Sequence, residues 1–308
     1  MTFGMYLRAG AAVLALVLLG TAPALARQAA VDDAFTTTLI HSLGYPEATV
    51  QVGPDGVVAP AQLAAGLTVV TLEAAEPYIG YLDIVQPPVG LSEEDAIDLA
   101  LAAASQDAAQ PDWVYLGGTN TPAVGERASF IIDLQPGEYR WAISYYPDQP
   151  DGEEIMHLAP LTVTAGGETD PTAANPPPAT VALEASDDLR YTIAPNPVPA
   201  GPQLWKFANT GTHSPHHAVI YQIPDGVTAE QIVQEVQDLA SGVEPAGEPI
   251  TAQFVWAAYF ALQSGGQTTW AEFDLEPGAY AVICFVIDPD TGRPHVLDGM
   301  AAVFAVAP

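Results

Sequence analysis

The sequence is poor in positive charge and in sulfur. Lysine occurs once, at Lys206, and Lys and Arg together number 7 against 37 Asp and Glu in 308 residues, a formal net charge of −30. Nucleic acids and anionic bilayers are gripped without sequence preference by dense Lys/Arg that displace counterions, so those partners are excluded. The acidity has two readings, general solubility and an orienting field for a partner with a basic docking surface. Long apolar runs are also missing: beyond the N-terminus nothing approaches the ~18 uninterrupted apolar residues of a membrane helix, so no transmembrane anchor is expected. Core material is not lacking. Hydrophobic residues make up 49% of the chain and are spread along it, enough for a folded protein of two ordinary domains.

Residues 1–26 carry one positive charge at Arg8, an apolar run from Ala9 to Leu19, and the small-x-small step Ala24-Leu25-Ala26. This is the pattern of a signal peptide cleaved near Ala26, so the mature chain is expected in an extracytoplasmic, periplasmic or secreted location. No cysteine follows the apolar run, which argues against a lipoprotein. Export also gives meaning to the single cysteine, Cys284. Exported proteins use cysteines in pairs, and one without a partner is a buried spectator, an intermolecular bridge or a ligand.

The clearest organisational signal is an internal repeat. Residues 125–139 align with 266–280 at a constant offset, sharing Gly, Asp-Leu, Pro-Gly and Tyr; upstream, Val58-Ala-Pro and Ala65-Gly66 match Ile193-Ala-Pro and Ala200-Gly201. Each copy then has a short strand (80–85 and 218–223), a Pro/Gly turn and a helix opening at Ser92 or Thr228, the second with the spacing of a capping box. Ile232, Val233, Val236 and Leu239 recur at helical spacing as an apolar stripe. Short runs bounded by Gly, Pro and Asp, such as 181–183, 270–275, 280–287 and 301–306, predict strands. The expected fold is all-β: two tandem sandwiches, each with a short helical insertion. Residues 27–45 form a lead or an added strand, 46–165 the first copy, 166–180 a Pro-rich extended linker, and 181–308 the second copy.

The soft and imidazole side chains are concentrated in the second copy. His213, His216 and His217 stand in one cluster just before a strand; Cys284, His295 and Met300 follow in order between the last two strands. Singly, each has an ordinary explanation: a small buried hydrophobe, a loop cap, a core thioether. Together, one thiolate, two imidazoles and a distant thioether are the ligand set of a type 1 copper site, a Cys/His trigonal plane with a weak axial Met.

On these residues the second copy resembles the cupredoxin (blue copper) family, with plastocyanin and azurin as familiar members. The Asn209-x-Gly211 loop and the Pro215-His216 step are similar to that family's upstream ligand region. Cys284, His295 and Met300 are similar to its downstream loop, and the His295-x4-Met300 spacing is similar to the plastocyanin pattern. The resemblance implies Greek-key sandwiches, one copper ion held in the C-terminal copy by His216, Cys284, His295 and Met300 (His217 as the fallback for His216), and one-electron transfer. One departure stands out. Ten residues separate Cys284 from His295, more than the family uses, and the turn chemistry of 288–292 is expected to fold the excess into a small hairpin. Such a loop could also expose the metal, alter its coordination or leave the site empty.

By the repeat alignment Ile143 stands where Cys284 stands, and Gly80 and Tyr81 where His216 and His217 stand. The first copy is therefore expected to be a degenerate cupredoxin-like domain without metal ligands, with Met156 and His157 structural. His213 is expected at the surface or behind a ligand, and Asp288, Asp290 and Asp298 as turn acids or a docking patch. No phosphate loop, His-Glu-x-x-His zinc motif or Gly-x-Ser-x-Gly elbow occurs, and a catalytic copper would need further histidines, so no enzyme is expected. The sequence points to an exported copper protein that carries electrons between extracytoplasmic partners. Copper storage or delivery, and a metal-free interaction or structural module, are the competing readings.

Overall fold

The computed structural model describes residues 38–104, 109–149, 154–165, 175–243 and 247–308. Residues 1–37, which hold the expected signal peptide and most of the lead, and residues 166–174 of the expected linker lie outside the described residues. Each copy contributes nine strands. The first has β1 (Glu47–Gly53), β2 (Gly56–Val58), β3 (Gln62–Ala64), β4 (Gly66–Ala74), β5 (Tyr78–Gln86), β6 (Val114–Asn120), β7 (Arg127–Leu134), β8 (Gly137–Pro147) and β9 (Ile155–Thr164). The second repeats them as β10 (Val181–Ser186), β11 (Arg190–Ala194), β12 (Val198–Pro199), β13 (Gly201–Asn209), β14 (His216–Ile223), β15 (Val255–Gln263), β16 (Thr268–Leu275), β17 (Gly278–Ile283) and β18 (Ala301–Ala307). Helices α1 (Leu39–Ser42), α2 (Glu93–Ala104) and α3 (Ala229–Ala240) complete the set.

The strands form two mixed sheets, each running through both copies: an eight-stranded one in the order β11-β10-β13-β16-β7-β4-β1-β2 and a ten-stranded one in the order β12-β18-β17-β14-β15-β6-β5-β8-β9-β3. At both seams a strand meets its own repeat counterpart antiparallel, β7 against β16 and β6 against β15. Phe130 pairs with Ala271, its equivalent in the repeat, so the copies are related by an approximate twofold axis through that pair. The arrangement protects edges that two separate sandwiches would expose. Chain crossing is close at the second seam. Gly117 has φ +111°, and a Cβ there would lie 2.6 Å from the Thr269 methyl; a Cβ on Gly118 would lie 1.8 Å from the Leu82 carbonyl oxygen.

Between the sheets one apolar core runs through both copies, with Trp141, Trp205, Phe130, Phe207 and Phe260 fully buried. The outer faces are covered locally. Helix α3 lays Ile232 and Val236 on Val219, Tyr221 and Ile283, and its capping box is formed: Gln231 N–H donates to Thr228 Oγ1 (3.3 Å) and Thr228 N–H to Gln231 Oε1 (2.9 Å). Helix α2 is capped by Ser92, whose Oγ accepts from Asp95 N–H at 3.1 Å. On the other outer face, α1 inserts Ile40 among Leu67, Val69, Ile131, Leu204 and Trp270, so the end of the lead is one helical turn and not an added strand. None of the described helices is long and apolar enough to cross a membrane.

Candidate metal centre

His216, Cys284 and His295 converge at one end of the second copy. His216 is the first residue of β14, on the face that continues through Ala218 and Ile220 into the inter-sheet core; the sequence reading began this strand two residues later. The loop before it is tied by Asn209, whose Nδ2 donates to the carbonyls of Ser214 (2.9 Å) and Gln263 (2.8 Å) and whose Oδ1 accepts from Gly211 N–H (2.9 Å). Asp187, in the turn between β10 and β11, accepts from the N–H groups of Thr212 (2.8 Å) and His213 (3.0 Å).

The run 280–287 reads as one strand in sequence, but the chain leaves the sheet after Ile283, so Cys284 begins the loop. The loop is bonded throughout. Cys284 N–H donates to the Met300 carbonyl (3.2 Å), Val296 N–H to the Cys284 carbonyl (2.9 Å), His295 N–H to the Val286 carbonyl (2.8 Å) and Met300 N–H to the His295 carbonyl (3.0 Å). The hairpin expected over 288–292 is present: Asp288 N–H donates to the Arg293 carbonyl (2.9 Å), and Asp288 Oδ1 accepts from Thr291 N–H (2.7 Å). It returns the chain so that His295 opens a short 3-10 turn ending at Gly299, φ +102°.

The donor atoms form a triangle: His216 Nδ1 to His295 Nδ1 3.2 Å, Cys284 Sγ to His295 Nδ1 3.4 Å, and Cys284 Sγ to His216 Nδ1 3.9 Å. Its centre is about 2.0 Å from each corner, the length of a first-row metal bond to imidazole and slightly less than the ~2.3 Å of a metal–thiolate bond. All three residues are buried, and so is Met300, which lies in the same core cluster as Cys284. Both Nε2 atoms, of His216 and His295, are sealed and have no hydrogen-bond partner; Asp288 Oδ2 stands 3.8 Å from His295 Nε2. With both Nδ1 lone pairs turned to the triangle's centre, each Nε2 would carry the proton, and that oxygen is placed to favour this tautomer at His295. The donor set fits a metal ion of the type 1 class better than it fits an apolar core.

Burial holds both imidazoles in the neutral form that a metal ligand needs, and it keeps the proton on the thiol. Burial, followed by the neighbouring His295, takes His216 down to about 4; burial also lowers His295, against the pull of Asp288 and Asp298. Burial pushes the Cys284 thiol up to about 11, opposed by hydrogen bonds from the backbones of His217 and Val286 and from Tyr191. The Tyr191 hydroxyl also donates to the His217 carbonyl. Tyr191 and Asp187 were not found from sequence, because both reach the loop from another strand pair and neither belongs to a motif.

His217 points through the other face of the sheet: its Nε2 accepts from Phe285 N–H at 2.8 Å, and it is not in the donor cluster. His213 is exposed and meets Asp290 at 2.9 Å, tying the two loops together at the surface. Arg293 pairs with Asp298 at 3.2 Å. In the first copy His157 is exposed and Ile143 fully buried.

No family model matches the chain, and no curated protein matches it. Solved structures do. The chain is similar to auracyanin B at 22% identity, covering 44% of this chain and 92% of that one with a TM-score of 0.27. It is similar to a dithionite-reduced auracyanin from the photosynthetic bacterium Roseiflexus castenholzii at 24% identity, covering 41% and 95%, with a TM-score of 0.26. A copper-containing nitrite reductase from Thermus scotoductus SA-01 matches at 11% identity over 85% of this chain and 60% of its own, TM-score 0.21. Given such low scores, the fold assignment stands on the strand pairing and the site on its donor geometry.

Proposed function

We propose that the protein is an exported copper protein that transfers single electrons. One copper ion is held in the second copy by His216, Cys284 and His295, with Met300 as the axial ligand. When bound, copper supplies reversible one-electron chemistry. The chain supplies a fixed donor triangle, a buried thiol whose thiolate, once a cation displaces the proton, accepts from the His217 and Val286 backbones, and a core that excludes water. The observation that carries this reading is the meeting of three buried donor atoms within 4.8 Å of one another, two of them on imidazoles whose remaining nitrogen has no partner. A metal-free module would gain nothing from burying these groups.

Complete burial also favours electron transfer over storage or delivery, since a cargo site needs access for exchange. In this reading 1–26 is a signal peptide removed near Ala26, 46–165 a metal-free copy, 166–180 a connector and 181–308 the metal-bearing copy. The partner is an extracytoplasmic redox protein with a basic face, matched to the net charge of −30. This reading makes the protein an electron carrier and assigns it no catalytic role. The test is exchange: copper-loaded protein mixed with a strong Cu(I) chelator is expected to lose metal over hours while still reacting rapidly with a small one-electron reductant. Loss within seconds would overturn electron transfer in favour of copper handling.

A further inference from the structure

A cavity of about 420 Å³ lies on the outer face of the ten-stranded sheet, away from the inter-sheet core. Its floor crosses the seam, with β5, β6 and β8 of the first copy beside β14 and β15 of the second, and α2 lies over it with the small side chains Ala100 and Ala103. The walls are unusually aromatic. Tyr81 stacks near Tyr146 (centroids 6.2 Å apart) and meets Tyr259 of the other copy edge-on (6.2 Å). Tyr259 packs on Trp256 (5.8 Å), and Trp113 on Tyr115 (6.2 Å).

Two carboxylates, Asp83 and Glu154, share this space, and neither lysine nor arginine is among its lining residues. The one imidazole, His217, accepts from Phe285 N–H through Nε2. Glu154 accepts from the Ser144 hydroxyl. Asp83 is different: its Oδ1 is buried with no hydrogen-bond partner, on a central strand of the ten-stranded sheet. An acid so placed costs stability unless something pairs with it. Burial pushes its carboxyl up to about 7, offset only in part by the Leu262 backbone, which is how an acid with no cation beside it behaves.

We propose that this cavity binds a small organic cation, a protonated amine or quaternary ammonium group carrying an apolar or aromatic body, with the charge held between the Asp83 carboxylate and aromatic faces from both copies. Ring faces attract such cations through their quadrupole, most strongly where water is excluded, and the carboxylate supplies the countercharge. A volume of this size takes one fused or single-ring amine, not a macromolecule. The site is distinct from the metal centre: none of the four proposed copper ligands lines it, although His217 and Phe285, which do, adjoin His216 and Cys284 in the chain.

The test titrates the purified protein, metal-free and copper-loaded, with phenethylamine, benzyltrimethylammonium and the neutral phenethyl alcohol, followed by tryptophan fluorescence and calorimetry. Both cations are expected to bind one per chain in both metal states, with the alcohol at least about tenfold weaker. Asp83→Asn is expected to remove that preference by weakening the cations, and Ala100→Phe, which fills the cavity from α2 rather than from the strands that carry Asp83, to abolish all binding. Equal affinity for alcohol and amine, absence of saturable binding by either cation, or amine binding confined to the copper-loaded protein would each overturn the proposal. The contrast between ligands is read on the wild-type chain, so a variant that fails to fold leaves the result intact.

Discussion

The two copies place different side chains at the same positions of one scaffold. In the first, Ile143 pairs with Leu82 and Gly80 lies two residues upstream; in the second, Ile283 pairs with Val219, which sets Cys284 beside Ala218 with His216 two residues upstream. His157 pairs with Ile143 as Met300 bonds to Cys284. A Cβ added at Gly80 would already meet Val52 at 3.2 Å and Leu72 at 3.3 Å, so this end of the first copy is filled by aliphatic groups. The strands differ accordingly. β8 and β9 pair as far as Tyr145 and Ile155, whereas β17 stops at Ile283 and β18 starts at Ala301. The second copy has given up ladder for loop, and the backbone groups released are satisfied inside the loop by the four bonds around Cys284, His295 and Met300. A sandwich tolerates a donor site at its end when the loop replaces the hydrogen bonds that the strands lose.

The largest expected effect is in β6, the first copy's seam strand, at its pairing with β5. Gly118→Ala places a Cβ against the Leu82 backbone and is expected to lower unfolding free energy by about 4 kcal/mol or more, measured by urea denaturation, since backbone and not a flexible side chain must move. Asp83→Asn acts in the opposite direction, with an effect that grows as pH rises from about 4 to 7 and levels off above. An unfolded aspartate ionises near 3.8 and the folded one at about 7, so the wild type loses stability as pH rises through that window. Asparagine is expected to gain roughly 3 kcal/mol over the wild type at pH 8 and nothing at pH 4, by paired thermal melts. Asn209→Ala strips the loop before His216 of its three bonds and is expected to cost about 2 kcal/mol and to weaken metal binding; the first copy has no such tie, since Ala74 stands at the equivalent end of β4. Smallest is Ile143→Cys, which gives the first copy a thiol. The lost core volume is expected to cost about 1 kcal/mol, and copper titration should detect no second site, because Gly80 and its aliphatic neighbours offer no imidazole.

Much of this was legible in sequence. The repeat announced two equivalent sandwiches, because paired Gly, Pro and Asp-Leu positions fix turns and strand ends at the same places in both. Of the residues read from sequence as ligands, His216, Cys284 and His295 meet in the structure, and 288–292 forms the return hairpin. The seams were not legible: β6–β15 and β7–β16 are pairings between edges more than a hundred residues apart, and edge strands carry no mark of their partner. The end of β17 was misjudged because an apolar run reads the same whether it continues in a sheet or turns into a buried loop. Asp83 gave no signal either, since a lone acid in an alternating strand looks like any solvent-facing residue until α2 and the second copy close over it.

The central claim is that the second copy, and not the first, holds one copper ion on a thiolate. Its direct test is the visible spectrum of the purified protein titrated with Cu(II), beside Cys284→Ser and with metal content measured by mass spectrometry. An intense thiolate-to-copper band that saturates at one copper per chain and vanishes in the variant is the expected result. A chain that takes up no copper, or a band that survives the loss of Cys284, would contradict it.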